Sequence, residues 1–295
     1  MIVYSLLFST LITAAYLIMH PSGVAFVIMR AALGLAFGIT VVGARFFISR
    51  LALATWRSRG FSLSQMAFSS LPVIATLFAV PIVNLSSVQT LFAIPALLAT
   101  MLAITLSFCN SPQIGWRMNS PQMLRVSGLS WNIAASSSIV YSISYGALIW
   151  IANLPNVSSN ERVLMLVLVL TMSILGSIMV WRFSDLQSTL YSTFTFMAFG
   201  SSLLFFVFPT LGLAAVSFSI GAIMPLSLSL FLHSAGITAA PVSIIGSLHL
   251  VGGFAGASVA QFLTGKSGAQ FAVFVAAAGA AAVIEVLSQS KRLRM

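Results

Sequence analysis

Charge is what this sequence lacks. Of its 295 residues 5% are charged, and the acids number three, Glu161, Asp185 and Glu285. A soluble domain carries about 25% charged residues, because its surface has to stay wetted. So few charges cannot cover a water-facing surface, which excludes a soluble enzyme, a soluble binding module and a disordered chain. Cysteine is nearly absent too: Cys109 alone cannot form a disulfide framework or a cysteine-based zinc site. The three histidines, His20, His233 and His249, have no ligand spacing, and the three acids form no local carboxylate pair. No metal site, no cofactor and no catalytic constellation is expected from this inventory, so the chain does not read as an enzyme.

What fills the sequence is apolar. Hydrophobic residues make up 59% of it, and the mean hydropathy is +1.09. A helix needs about 20 mostly apolar residues to cross a hydrocarbon core about 30 Å thick. Ten such runs can be drawn, at 2–19, 23–46, 64–83, 88–108, 128–152, 162–181, 189–208, 210–232, 241–263 and 269–288. Helix stoppers separate them, among them His20-Pro21-Ser22-Gly23, Asn153-Leu154-Pro155-Asn156 and Gly265-Lys266-Ser267-Gly268. The runs are continuous instead of alternating, so strands are disfavoured. The first run has no basic segment before it and is too long for a signal peptide. The expected fold is therefore an all-α integral membrane protein of about ten transmembrane helices.

The net charge of +10 reads the same way. With both termini placed in the cytoplasm, ten basic residues fall inside: Arg45, Arg50, Arg57, Arg59, Arg117, Arg125, Arg182, Lys291, Arg292 and Arg294. Arg162 and Lys266 fall outside, and Arg30 lies within a span. This asymmetry obeys the positive-inside rule, so the basic excess points to membrane topology and not to nucleic acid. The longest polar stretch, 109–127, reads as a cytoplasmic linker. It divides the chain into a four-helix bundle at 1–108 and a six-helix bundle at 128–288, followed by a basic tail at 289–295. Transporters are commonly built from repeated halves, and four plus six suggests six plus six without the first two helices.

At this point the sequence resembles the major facilitator superfamily from its third helix onward. Arg30-Ala-Ala-Leu-Gly34-Leu-Ala-Phe-Gly38 looks like that family's fourth-helix motif. Gly176-Ser-Ile-Met-Val-Trp-Arg182-Phe-Ser-Asp185 resembles its loop motif between helices eight and nine, although the basic residues that normally follow are replaced by Leu186, Gln187, Ser188 and Thr189. Gly221-Ala-Ile-Met-Pro225 fits the tenth helix, and Gly246, Gly252, Gly253 and Gly256 fit the eleventh. The resemblance implies a secondary transporter of a small solute, working by alternating access in a bacterial inner or plasma membrane, with proton coupling left open. It gives Arg30 a role in the cavity, and it makes Arg182 and Asp185, with Gly176, a cytoplasmic latch.

The residues themselves suggest further candidates. Ser138, Tyr141, Ser142 and Tyr145 share one face of the helix after the linker. Lipid offers hydroxyls no partners, so this face looks at a cavity holding the solute or at a neighbouring helix. His249 lies mid-span and could carry a proton near neutral pH; a buried, hydrogen-bonded histidine is the plainer reading. The small-x-x-x-small pairs Gly34/Gly38 and Gly252/Gly256 suit close helix packing. Two rival readings remain at this stage. One is a ten-helix carrier of the drug/metabolite type, built as five plus five, although its linker would follow the fifth span. The other is a non-transporting accessory protein or the remnant of a shortened carrier.

Overall fold

The computed structural model describes residues 2–19, 23–51, 56–85, 88–108, 128–154, 157–183, 187–235, 239–263 and 268–292. These residues form ten helices: α1 (Ile2–Met19), α2 (Gly23–Leu51), α3 (Arg57–Leu85), α4 (Val88–Phe108), α5 (Gly128–Ala152), α6 (Ser159–Arg182), α7 (Gln187–Leu204), α8 (Pro209–Ala235), α9 (Ala239–Phe262) and α10 (Gly268–Arg292). Each apolar run has become one helix. Six segments among the described residues are long and apolar enough to cross a membrane: Ala31–Arg50, Ser130–Ala152, Ser159–Arg182, Pro209–His233, Pro241–Phe262 and Gln270–Leu287.

Helix ends follow local chemistry. Pro209 opens α8, where its missing N–H costs nothing. Ser158 caps α6 in a capping box: the Glu161 N–H donates to Ser158 Oγ at 3.3 Å, and the Ser158 N–H donates to Glu161 Oε2 at 2.9 Å. Exposed positions along the middle of α6 are mostly apolar, as lipid demands. On α6, Leu164, Leu168, Leu175, Ile178 and Met179 are exposed, whereas Val169, Leu170, Gly176, Ser177 and Val180 are buried.

The chain forms two compact units, Met1–Phe47 with Phe78–Met123, and Ile48–Leu77 with Leu124–Met295. This grouping differs from the sequence-based bundles in where it puts residues 48–77. Within the second unit Ser69 of α3 and Ser173 of α6 share a hydroxyl contact at 3.3 Å. In the first unit α1 packs on α4 and on α2: Thr100 Oγ1 donates to Thr10 Oγ1 at 3.2 Å, and Ser5 and Thr40 meet at 2.7 Å.

The last six helices, α5 to α10, repeat a three-helix scheme. α5 packs extensively on α9, as α8 does on α6; α7 packs on α8, as α10 does on α5. The remaining principal pairs, α5 with α8 and α7 with α10, map onto themselves when α5–α6–α7 is exchanged for α8–α9–α10. The repeat is by threes, which a five-plus-five carrier would not produce.

Glycines make these contacts possible. A Cβ at Gly176 would collide with the Phe218 carbonyl, and one at Gly221 with the Ser173 carbonyl, so the backbones of α6 and α8 nearly touch. Pro225 lies inside α8 and has no N–H to offer the Gly221 carbonyl four residues back. In hydrocarbon that carbonyl needs another donor. The Ser177 hydroxyl of α6 reaches it at 2.8 Å. Close packing and carbonyl satisfaction thus depend on the same few residues.

Ser177→Ala should therefore cost about 1–3 kcal/mol, the range for a buried acceptor left unsatisfied. Pro225→Ala returns the N–H, so the two losses should be non-additive by more than about 0.5 kcal/mol. Unfolding of the four forms in detergent measures both quantities.

Candidate functional site

The polar face of α5 lies along its seam with α9. The Ser138 hydroxyl donates to the Leu248 carbonyl at 2.6 Å. A Cβ at Gly252 would strike the Ser138 carbonyl, and one at Gly256 the Ser142 carbonyl. Gly146, one turn beyond Ser142, in turn sits against the Gly256 carbonyl, 3.1 Å from where its own Cβ would stand. The serines and glycines together remove the bulk that would hold α5 and α9 apart. At Gly34 and Gly38 a Cβ would meet nothing within 4 Å, so the same spacing creates no close approach there among the described residues.

His249 is almost fully buried, 1% exposed, and faces α5 from this seam. Its Nε2 lies 2.9 Å from Ser137 Oγ, and its ring stacks on Tyr141 with centroids 5.4 Å apart and planes 26° apart. Tyr141 meets Tyr145 in turn, rings 4.9 Å apart and hydroxyls 3.4 Å apart. Both tyrosines are half-buried and press on Gly253, whose Cβ would stand 3.3 Å from each ring. Two expectations that stood apart in the sequence, the hydroxyl face and the lone histidine, are thus one cluster.

The Ser137 hydroxyl ties this cluster to where the imidazole carries its hydrogen. It has one hydrogen and two candidate acceptors, the Ala134 carbonyl at 3.1 Å and His249 Nε2 at 2.9 Å. A ring protonated on Nε2 must donate to Ser137, which then turns its hydrogen to Ala134. A ring with bare Nε2 accepts from Ser137 instead. One hydroxyl rotor therefore follows the state of the ring.

Sequence reasoning missed Ser137, which lies beside the chosen stripe. The signal was available, since Ser136, Ser137 and Ser138 together present hydroxyls on three sides of α5. Ser136 faces the opposite way from the seam and bonds the hydroxyl of the buried Tyr191 on α7.

The remaining candidates fall elsewhere. Arg30 belongs to α2, and its side chain lies outside the described residues. Gly176 is not in a loop: α6 continues to Arg182, and Gly176 is a packing contact with α8. Arg182 is exposed at the end of α6, and Asp185 lies outside the described residues. The first unit holds a shallow crevice of about 240 Å³ between α1 and α2, lined by Tyr4, Ser5, Phe8, Ala36 and Ile39; it is overwhelmingly apolar and offers no site chemistry. No group of three or more histidine, cysteine or acidic residues could hold a metal ion among the described residues.

Tyr141 contributes mainly through its ring. Tyr141→Phe should leave stability within about 0.6 kcal/mol, the mean value of a hydroxyl contact in a membrane bundle. Tyr141→Ala, which loses the stack and the contact with Gly253, should cost on the order of 2 kcal/mol. Thermal unfolding of the two variants checks the difference.

No family model and no curated protein matches the sequence. Solved structures do match. The fucose:proton symporter FucP of E. coli superposes with a TM-score of 0.71 at 15% identity, over 98% of this chain and 83% of that one. The human organic anion transporter MFSD10 (TETRAN) gives 0.72 at 15% identity, over 98% of this chain and 75% of that one. A bacterial homologue of the iron transporter ferroportin, in an outward-facing state, gives 0.60 at 13% identity, over 100% of this chain and 82% of that one. Likeness at such low identity is likeness of fold. The chain is an integral membrane protein with the fold of the major facilitator superfamily.

Proposed function

We propose that the protein is a secondary transporter that moves a small neutral or anionic solute by alternating access. The observation that carries this reading is the fold, matched over 98% of the chain by transporters. In this reading the ten helices cross the bilayer as four and then six, and both ends face the cytoplasm. Three tryptophans support a membrane interface at these helix ends: Trp56, Trp131 and Trp181 are exposed near ends that adjoin the arginine-rich loops. Amphipathic rings favour the headgroup level.

The solute class follows from charge. Arg30 is a basic residue set within a span, and no acid precedes Glu161 in the chain. A cavity so furnished favours neutral and anionic solutes over cations. Two of the structural neighbours, a fucose:proton symporter and an organic anion transporter, handle solutes of these two classes. Tyr141 and Tyr145 supply ring faces and hydroxyls to the solute, and Ser138 and Ser142 hold the wall against α9. Arg182 and Asp185 latch the cytoplasmic end of α6. His249 couples a proton to binding, because its ring is stacked directly on Tyr141.

A thermal-shift screen of purified protein against neutral and monoanionic solutes should find at least one that raises the melting temperature, since a ligand of the folded state stabilises it. For an anionic hit, Arg30→Ala should weaken binding about tenfold or more, the effect of removing a charge-assisted hydrogen bond worth 1.5–3 kcal/mol. Unchanged affinity for every bound solute would remove the cavity role of Arg30. Imidazolium adds positive charge beside the solute, so anion affinity should rise wherever the ring takes up a proton as pH falls. His249→Gln should flatten that profile, and an identical slope in the variant would rule out coupling through this ring. Uptake of the hit into proteoliposomes tests transport itself.

A further inference from the structure

Three contacts fix how the two tight seams of the second unit correspond. Gly252 against the Ser138 carbonyl matches Gly176 against the Phe218 carbonyl. His249 beside Tyr141 then matches Ser173 beside Gly221. Gly253 beside Tyr141 matches Ser177 beside Gly221, and Tyr145, one turn beyond Tyr141, matches Pro225. The third match is an exchange of bulk. In the α6–α8 seam a serine meets a glycine one turn before a proline. In the α5–α9 seam a glycine meets two tyrosines one turn apart.

Gly253 also differs from the glycines around it. Cβ atoms at Gly252 and Gly256 would collide with main-chain carbonyls of α5, which cannot yield unless the helices separate. The three atoms nearest a Cβ at Gly253 are ring carbons, 3.3 Å away on Tyr141 and on Tyr145 alike. A helix interior disfavours glycine relative to alanine. Close backbone approach accounts for Gly252 and Gly256, whereas the methyl missing at Gly253 makes room for rings. Carbon contacts are best at about 3.5–4.0 Å, so a methyl there pushes the rings away from α9 by a few tenths of an ångström. Tyr141 is also held by its stack on His249, so Tyr145 moves more.

We propose that Gly253 is a positioning residue: it seats the tyrosine pair against α9, and the depth of that seat sets the largest solute the site admits. The inference rests on the reading that Tyr141 and Tyr145 face the solute. Rings that sit deep leave room for a bulkier molecule, and rings lifted by a methyl narrow the opening.

The test uses the full chain in detergent. Gly253→Ala should melt close to the wild type, whereas Gly252→Ala, whose Cβ strikes a carbonyl, should melt well below it. Equal losses would make Gly253 a packing residue and overturn the proposal. Hydroxyl-radical labelling read by mass spectrometry follows the rings. Tyr145 should be oxidised in the wild type and more so in Gly253→Ala, with Tyr191, 2% exposed, as the protected reference. Gly200→Ala, whose Cβ meets nothing within 4 Å, should change neither. Equal labelling of Tyr145 in wild type and Gly253→Ala overturns the seat alone; no labelling of Tyr145 in either removes the reading of the tyrosines as well. Size selection is read by thermal shift on straight-chain monocarboxylates from acetate to hexanoate and on polyols from glycerol to sorbitol. Gly253→Ala should lower affinity for the largest member bound, relative to the smallest, by about tenfold or more, the scale of one methylene in a close-fitting pocket. Tyr145→Leu, which withdraws the ring, should shift that ratio the other way, and it keeps the test open if Gly253→Ala fails to fold. A uniform loss across a series, or no shift in Tyr145→Leu, overturns the proposal. Two series in which nothing stabilises the wild type would remove the solute site, and size selection with it.

Discussion

In hydrocarbon no water is available to satisfy a polar group, and the second unit is organised around that constraint. Pro225 deprives the Gly221 carbonyl of its helical donor, and the Ser177 hydroxyl of α6 replaces it. The hydroxyl can do so only because Gly176 and Gly221 let the two backbones approach until a Cβ would collide. Removing the proline, the serine or either glycine disturbs the others. A charge could have satisfied the same carbonyl at much greater insertion cost, and hydroxyls and glycines accomplish it in a chain with almost no charge.

The same economy governs the α5–α9 seam. Ser138 and Ser142 meet glycines, Ser137 meets His249, and Tyr141 covers the imidazole. Because α5 and α9 exchange roles with α8 and α6 in the three-helix repeat, the unit has two tight seams of like composition. They differ in what they enclose. One holds the orphaned carbonyl opposite Pro225 and the other holds the histidine.

Much of this was legible in the sequence, and the limits have physical causes. Each apolar run became a helix because composition alone decides that a long apolar segment in lipid is helical. Facing partners were harder to read. Gly34/Gly38 and Gly252/Gly256 have the same spacing, yet only the second pair touches a neighbouring backbone closely among the described residues. Spacing fixes positions on one helix and says nothing about what stands opposite. Ser137 was passed over because it falls off the four-residue stripe, although it holds the imidazole. Gly176 was read as part of a loop motif and serves a packing contact between α6 and α8. The Pro225–Ser177 relation joins residues 48 positions apart, across two helices, and no local pattern encodes it.

The seam between α5 and α9 also bears on how the chain is made. Ser138 and its partner Leu248 are 110 residues apart, so a ribosome delivers this hydroxyl-bearing helix into the bilayer well before its counterpart exists. In that interval its serines are not stranded. Ser136, Ser137 and Ser142 each reach a carbonyl three residues back on the same helix, at 3.2, 3.1 and 2.6 Å. These internal bonds let the newborn segment wait in lipid, and the late arrival of α9 then lets Ser137 turn outward to a new acceptor. The hydroxyl–carbonyl bonds that persist in the finished protein thus first serve the nascent one as temporary shelter.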